Sequence, residues 1–141
     1  QPVADLTLAA NAAVSRNRIA EFRDASVNGV WRDVPQVLTP SLVAGQQVTW
    51  RARRWLSLAA DGRYQSRQFL DATGNAERTA GAFFVLDGGA TFRVGRHELL
   101  VQGRNLLDRL AFPAGDVSSR GVPRFFILAP RNVEVVARLA F

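Results

Sequence analysis

Apolar residues occupy every second position in six stretches of the chain, and period two predicts strands with one apolar face. In 4–15, Leu6, Leu8, Ala10, Ala12 and Val14 oppose Thr7, Asn11 and Ser15. In 41–50, Leu42, Ala44, Val48 and Trp50 share a face, with Gln46 the exception. In 55–69, Leu56, Leu58, Ala60, Gly62 and Tyr64 oppose Ser57, Asp61, Arg63, Gln65 and Arg67. In 83–94, Phe84, Leu86, Ala90, Phe92 and Val94 oppose Asp87, Thr91 and Arg93; in 98–108, Leu99 and Val101 oppose Glu98, Gln102 and Arg104. The last stretch, 131–141, sets Val133, Val135, Ala137, Leu139 and Phe141 against Asn132, Glu134, Val136, Arg138 and Ala140. No segment of helical period competes, so the fold class expected is all-β and antiparallel.

The connections alternate in length. Arg51 to Arg54 and Gly95 to His97 read as tight turns, whereas 16–39, 69–80 and 108–130 are long, polar and rich in Gly, Pro, Asp and Arg. Short turns at one end and long loops at the other are the pattern of a transmembrane β-barrel. A soluble barrel would point its apolar face inward and a membrane barrel would point it at lipid; period two alone does not separate them. The opposite face carries long charges of both signs, Asp61, Arg63, Arg67, Asp87, Arg93, Arg104, Glu134 and Arg138, which suits a wet interior or a solvated exterior. Aromatics bracket the apolar face: Trp50, Trp55 and Phe141 near the short-turn end and Tyr64 near the long-loop end, as in the interfacial girdles of membrane barrels.

At 141 residues and 48% apolar, the chain is long and greasy enough for one domain and is not a disordered segment. It has no Cys and a single His97, which removes thiol chemistry, disulfides and any multi-histidine metal site within it. No apolar run approaches the ~18 residues of a membrane helix. The 18 basic residues, all Arg, outnumber 12 acids for a net +6, but they are scattered apart from Arg51, Arg53 and Arg54, and no aromatic-basic platform accompanies them. That argues against nucleic acid as a partner.

The last third is similar to a known family. VLDGGATFRVGRHELLVQGRNLLDRLAF (85–112), then a Gly/Pro-rich stretch and APRNVEVVARLAF (129–141), resembles the carboxy-terminal end of TonB-dependent outer-membrane receptors. Asn105, Leu106, Leu107 and Asp108 match the family's NLxD motif, RYQSRQFLDATGN (63–75) resembles an upstream strand and loop, and NRIAEFRDASVNG (17–29) resembles an earlier loop. The resemblance covers nearly the whole chain. It implies that residues 1–141 are the carboxy-terminal portion of a receptor barrel in the bacterial outer membrane, without its plug domain. It also implies that Phe141 is part of the signal read by the barrel assembly machinery.

Six strands are fewer than the ~8 of the smallest membrane barrels and would leave two open edges that hydrocarbon does not tolerate. Further strands of a larger barrel, other chains, or strands hidden in 16–39 around VNGVWRDV, bringing the number to eight, would complete the closure.

No catalytic constellation is visible: His97 lies in a turn beside Arg96, and Asp71 and Glu77 are too few for a calcium site. No cofactor or metal is expected, and the chain reads as a non-enzyme. The resemblance implies TonB-driven uptake of a scarce solute, foremost a ferric siderophore. The partners it implies are the plug, the remaining strands, the TonB complex acting through that plug, membrane lipid and lipopolysaccharide. Arg16, Arg18, Arg23 and Arg32 are candidates to attract an anionic chelate, and Trp31, Phe125 and Phe126 to stack on it. Against this, lumen charges commonly pair with one another or the plug, loop aromatics commonly pack their own loop, and basic loops suit lipopolysaccharide. Two other functions fit the bare pattern: a self-contained small outer-membrane barrel serving as an adhesin or structural protein, and a soluble β-domain that binds polyanions.

Overall fold

The computed structural model describes residues 5–24 and 28–140, and these contain twelve strands and no helix. Six long strands form one antiparallel sheet: β1 (Leu6–Val14), β4 (Leu42–Arg53), β5 (Leu56–Gln65), β8 (Phe83–Val94), β9 (His97–Arg104) and β12 (Asn132–Arg138). Their order is β1-β4-β5-β8-β9-β12, so the sheet is an up-and-down meander with β1 and β12 at its edges. These are the six stretches that alternation predicts.

The register carries one face across the whole sheet. Leu8 lies opposite Val48, Val48 opposite Ala60, Leu58 opposite Ala90, Ala90 opposite Val101, and Val101 opposite Val135. Thr7, Thr49, Ser57, Thr91, Gln102 and Glu134 belong to the other face, and a concavity of about 830 Å³ opens on that side, lined by Thr7, Gln47, Thr49, Asp61, Arg93 and Gln102 among others. The polar face is therefore the inside of the curve and the apolar face the outside. Leu8, Val133, Val135 and Leu139 stand 60–68% exposed on that outer side.

Both short connections are two-residue turns. Val94 pairs with His97 across Gly95–Arg96, and Gly95 has φ +60, a conformation glycine adopts without steric cost. The other turn is Arg54–Trp55, not Arg51 to Arg54: β4 runs on to Arg53, with a register irregularity between Trp50 and Arg53. The extra residue on β4 shifts its alternation, so that beyond Trp50 it is Arg53, paired with Leu56, that shares the outward face.

The long connections carry short hairpins of their own: β2 (Arg18–Asp24) with β3 (Gly29–Pro35), β6 (Gln68–Phe69) with β7 (Thr79–Ala80), and β10 (Ala114–Val117) with β11 (Pro123–Phe126). Strands do exist around VNGVWRDV, but they form a separate hairpin and do not extend the sheet, which stays at six strands and open at both edges. The loops pack on one another. The Leu38 N–H donates to the Phe69 carbonyl at 2.9 Å, and the buried Gln68 donates to the Pro113 carbonyl at 2.8 Å. Five of the six buried apolar residues among those described, Val34, Leu70, Ala72, Ala80 and Ala111, lie in this layer; the sixth, Val85, is near the β8 end that adjoins it.

Candidate functional site

The concave face holds an ionic network that sheet register assembles. Asp61 and Asp87 lie directly opposite each other on β5 and β8, a like-charge pairing that is unfavourable alone. Arg63 bridges the two, with Nε 3.5 Å from Asp61 and Nη2 3.0 Å from Asp87. Toward the short turns, Glu98 accepts from Arg93 at 3.1 Å and from Arg138 at 3.2 Å, and Arg93 also reaches the Ser57 hydroxyl. Arg104 faces Glu134 at 3.8 Å. Seven of the eight charges expected on this face are thus brought together there. Arg67 is not among them: it follows the end of β5 and lies 5.7 Å over the ring of Phe69.

Above this network the concave face changes character. Near the long loops it is lined by Ala9, Val43, Phe83 and Val85 with Pro113 and Leu128 from the third loop, around a recess of about 480 Å³. Sequence reading missed this shelf because it followed the outward set. The clue was the unbroken run Phe83, Phe84, Val85 and Leu86, apolar on both parities.

The loop arginines are largely engaged. Arg18 pairs with Asp33, while Arg23 and Arg32 reach the two oxygens of Glu21 at 2.5 and 3.3 Å. Arg16 is exposed with no ion-pair partner among the described residues. Trp31 packs on Phe22 with ring centroids 5.9 Å apart, and Phe125 on Phe112 at 5.0 Å; Phe126 is 58% exposed.

Two loop carboxylates are held below their ordinary range. Partial burial pushes Asp71 upward, but hydrogen bonds from Thr73 and Arg78 together outweigh it. Asp116 is lowered by the double hydrogen bond from Arg124, at 2.7 and 2.6 Å, which in turn raises the Arg124 guanidinium.

The NLLD segment is a structural knot. Asn105, 2% exposed with φ 49, donates from Nδ2 to the carbonyls of Arg109 and Ala129 and accepts the Arg109 N–H. Asp108 accepts the Arg131 N–H at 3.0 Å, which ties the start of β12 to the end of β9. Leu106 covers the facing pair Gly88 and Gly103; a Cβ on Gly103 would lie 2.4 Å from its Cδ2.

Outside the sheet, aromatics gather at both levels. Trp55 stacks on Phe92 at 6.3 Å near the short turns, with Trp50 on the same face, while Tyr64 lies opposite Phe84 near the long loops. Phe141 lies outside the described residues.

No family model matches the chain, and no curated protein does. Solved structures do. The siderophore receptor PiuA from Acinetobacter baumannii aligns over 96% of this chain and 19% of its own, with a TM-score of 0.80 at 13% identity. The ferric-catecholate import receptor Fiu from E. coli K12, in its closed form, aligns over 96% of this chain and 18% of its own, with a TM-score of 0.72 at 17% identity. The ferric yersiniabactin uptake receptor FyuA from Yersinia pestis aligns over 97% and 22%, with a TM-score of 0.67 at 14% identity. The chain spans about a fifth of the length of these structures. Its fold is that of a partial, unclosed segment of a TonB-dependent receptor β-barrel.

Proposed function

We propose that the chain is the carboxy-terminal portion of the β-barrel of an outer-membrane receptor for TonB-dependent uptake of a ferric siderophore. The observation that carries this reading is the sheet's two-sidedness: an apolar convex face, a charged concave face, and a fold shared along nearly its whole length with siderophore receptors. The partners that follow are a plug domain, the remaining strands, the TonB complex acting through the plug, the barrel assembly machinery, and lipid with lipopolysaccharide at the outer surface. The two open edges favour a larger barrel over a self-contained small one, because unpaired strand edges are not tolerated in hydrocarbon.

Within this segment the solute-facing surface is the apolar shelf of Ala9, Val43, Phe83 and Leu128 together with Arg16 and Phe126, since Arg18, Arg23 and Arg32 are already paired. The test is deletion of the whole gene, followed by growth on defined ferric siderophores as the only iron source. Loss of growth on one chelate, restored by the gene, is the expected result. Unimpaired growth on every chelate, or a reading frame without plug and signal peptide, contradicts the proposal.

A further inference from the structure

We infer that Asp87 is a positioning residue that latches the third long loop, 105–131, to the ionic network of the concave face. Its two carboxylate oxygens serve two regions. Oδ2 accepts from Arg63 Nη2 at 3.0 Å, inside the network. Oδ1 accepts the backbone N–H of Asn105 at 2.8 Å, the residue whose side chain holds both the Arg109 and the Ala129 carbonyls. One carboxylate therefore joins a wall residue on β5 to the backbone of Asn105, whose side chain ties together a loop more than twenty residues long.

Arg63 is what makes the latch conditional. Asp61 lies directly across the ladder from Asp87, and Arg63 is the cation that touches both. Remove or divert that guanidinium and two carboxylates face each other without compensation. The available relief is for Asp87 to turn away from Asp61, which weakens its charge-assisted bond to Asn105. An anionic group that enters the concavity and takes up Arg63 has the same effect, so occupancy of the concave face is reported at the outer loop. The inference rests on the concave face being accessible from the bore and not on the identity of any solute.

The test is hydrogen–deuterium exchange, read by mass spectrometry, on the full-length protein in detergent, with peptides covering 105–117 and 126–132. Arg63→Gln is expected to speed exchange in both peptides on the order of tenfold, the effect of weakening one charge-assisted hydrogen bond. Peptides from β4 and β5 are expected to stay unchanged. Asp61→Asn, which removes the repulsion, is expected to restore slow exchange in the Arg63→Gln background and to do little alone. Asp87→Asn keeps an oxygen for the Asn105 N–H, and in its presence Arg63→Gln is expected to have no further effect. Where Arg63→Gln fails to assemble, Arg63→Lys makes the same comparison, with a smaller acceleration expected.

Unchanged loop exchange in the Arg63 variant overturns the latch. So does an acceleration that Asp61→Asn does not rescue, or one that persists at full size with Asp87→Asn. Loss of the latch with iron uptake intact would leave the proposed transport function standing.

Discussion

The six-stranded wall and the loop layer at its end solve the problem of apolar surface in opposite ways. The loop layer behaves like a small water-soluble protein: Leu70, Ala72, Ala80 and Ala111 are buried, and Gln68 and Asn105 are buried with their hydrogen bonds made. The wall buries almost none of its outward leucines and valines; Leu8, Val133, Val135 and Leu139 are left out. An apolar face this continuous is suited to lipid or to another protein surface rather than to water. The charges on its other face pair with one another. The lesson is that in this chain the core and the sheet are different places, and the direction of the greasy face carries more functional information than its existence.

The largest effect is expected on the convex face of the wall. Leu86→Arg puts a cation on the convex face and is expected to cost about 2–4 kcal/mol, whereas Gln102→Arg on the concave face is expected to cost well under 1 kcal/mol. The fraction of the full-length protein that migrates as a folded band in unheated electrophoresis checks both. Equal tolerance at the two sites contradicts the face assignment.

The next largest effect is expected at the junction of wall and loops. Asn105→Ala leaves the Arg109 N–H and two carbonyls without their buried partner and puts alanine, which adopts the left-handed region less readily than asparagine, at φ 49, an expected cost of about 2–3 kcal/mol. The signature is selective: limited trypsin digestion opens loop 105–131 while the wall stays resistant. Simultaneous loss of both would merge the two regions into one cooperative unit.

A smaller effect sharpens the same junction. Gly103→Ala drives a methyl into Leu106 and is expected to cost on the order of 1 kcal/mol, recovered largely by Leu106→Ala in the same chain. Denaturant midpoints of the single and double variants measure the coupling.

The smallest is a pH effect confined to the second loop. The folded-state value of Asp71 lies below its ordinary 3.8, so its contribution is complete above that pH and is lost as pH falls through the lower, folded value. Asp71→Asn should remove this dependence from loop protease sensitivity between neutral and strongly acidic pH, and leave the wall unaffected.

The strands of the wall were legible because alternation over eight or more residues leaves few other readings. The short loop strands were not. β6 and β7 are two residues each and exist because Gln68 and Leu70 find partners far along the chain, at Pro113 and beside Gly115. Parity placed Asp61, Arg63 and Asp87 on one face, but only register reveals that the two carboxylates meet and that Arg63 bridges them. Candidate arginines on the first loop were visible as residues; their partners, Asp33 and Glu21, depend on how β2 pairs with β3. The NLLD motif was readable as a resemblance; its physical reason, a left-handed buried asparagine holding a loop shut, lies in contacts with Arg109 and Ala129 that no spacing announces. Arg67 fell off the expected face because β5 ends at Gln65, two residues before it.

Whether the convex face meets lipid and the concave face meets water can be read residue by residue along β12. These 141 residues contain no cysteine, so single cysteines at 132 through 137 can carry nitroxide labels in the membrane-reconstituted full-length protein once any cysteine elsewhere in it has been replaced. Collision rates with oxygen, which partitions into lipid, and with a water-soluble nickel chelate are then measured at each position. Strict alternation is expected: positions 133, 135 and 137 favour oxygen, and positions 132, 134 and 136 favour nickel. The reverse alternation, or six positions that respond alike, would contradict it.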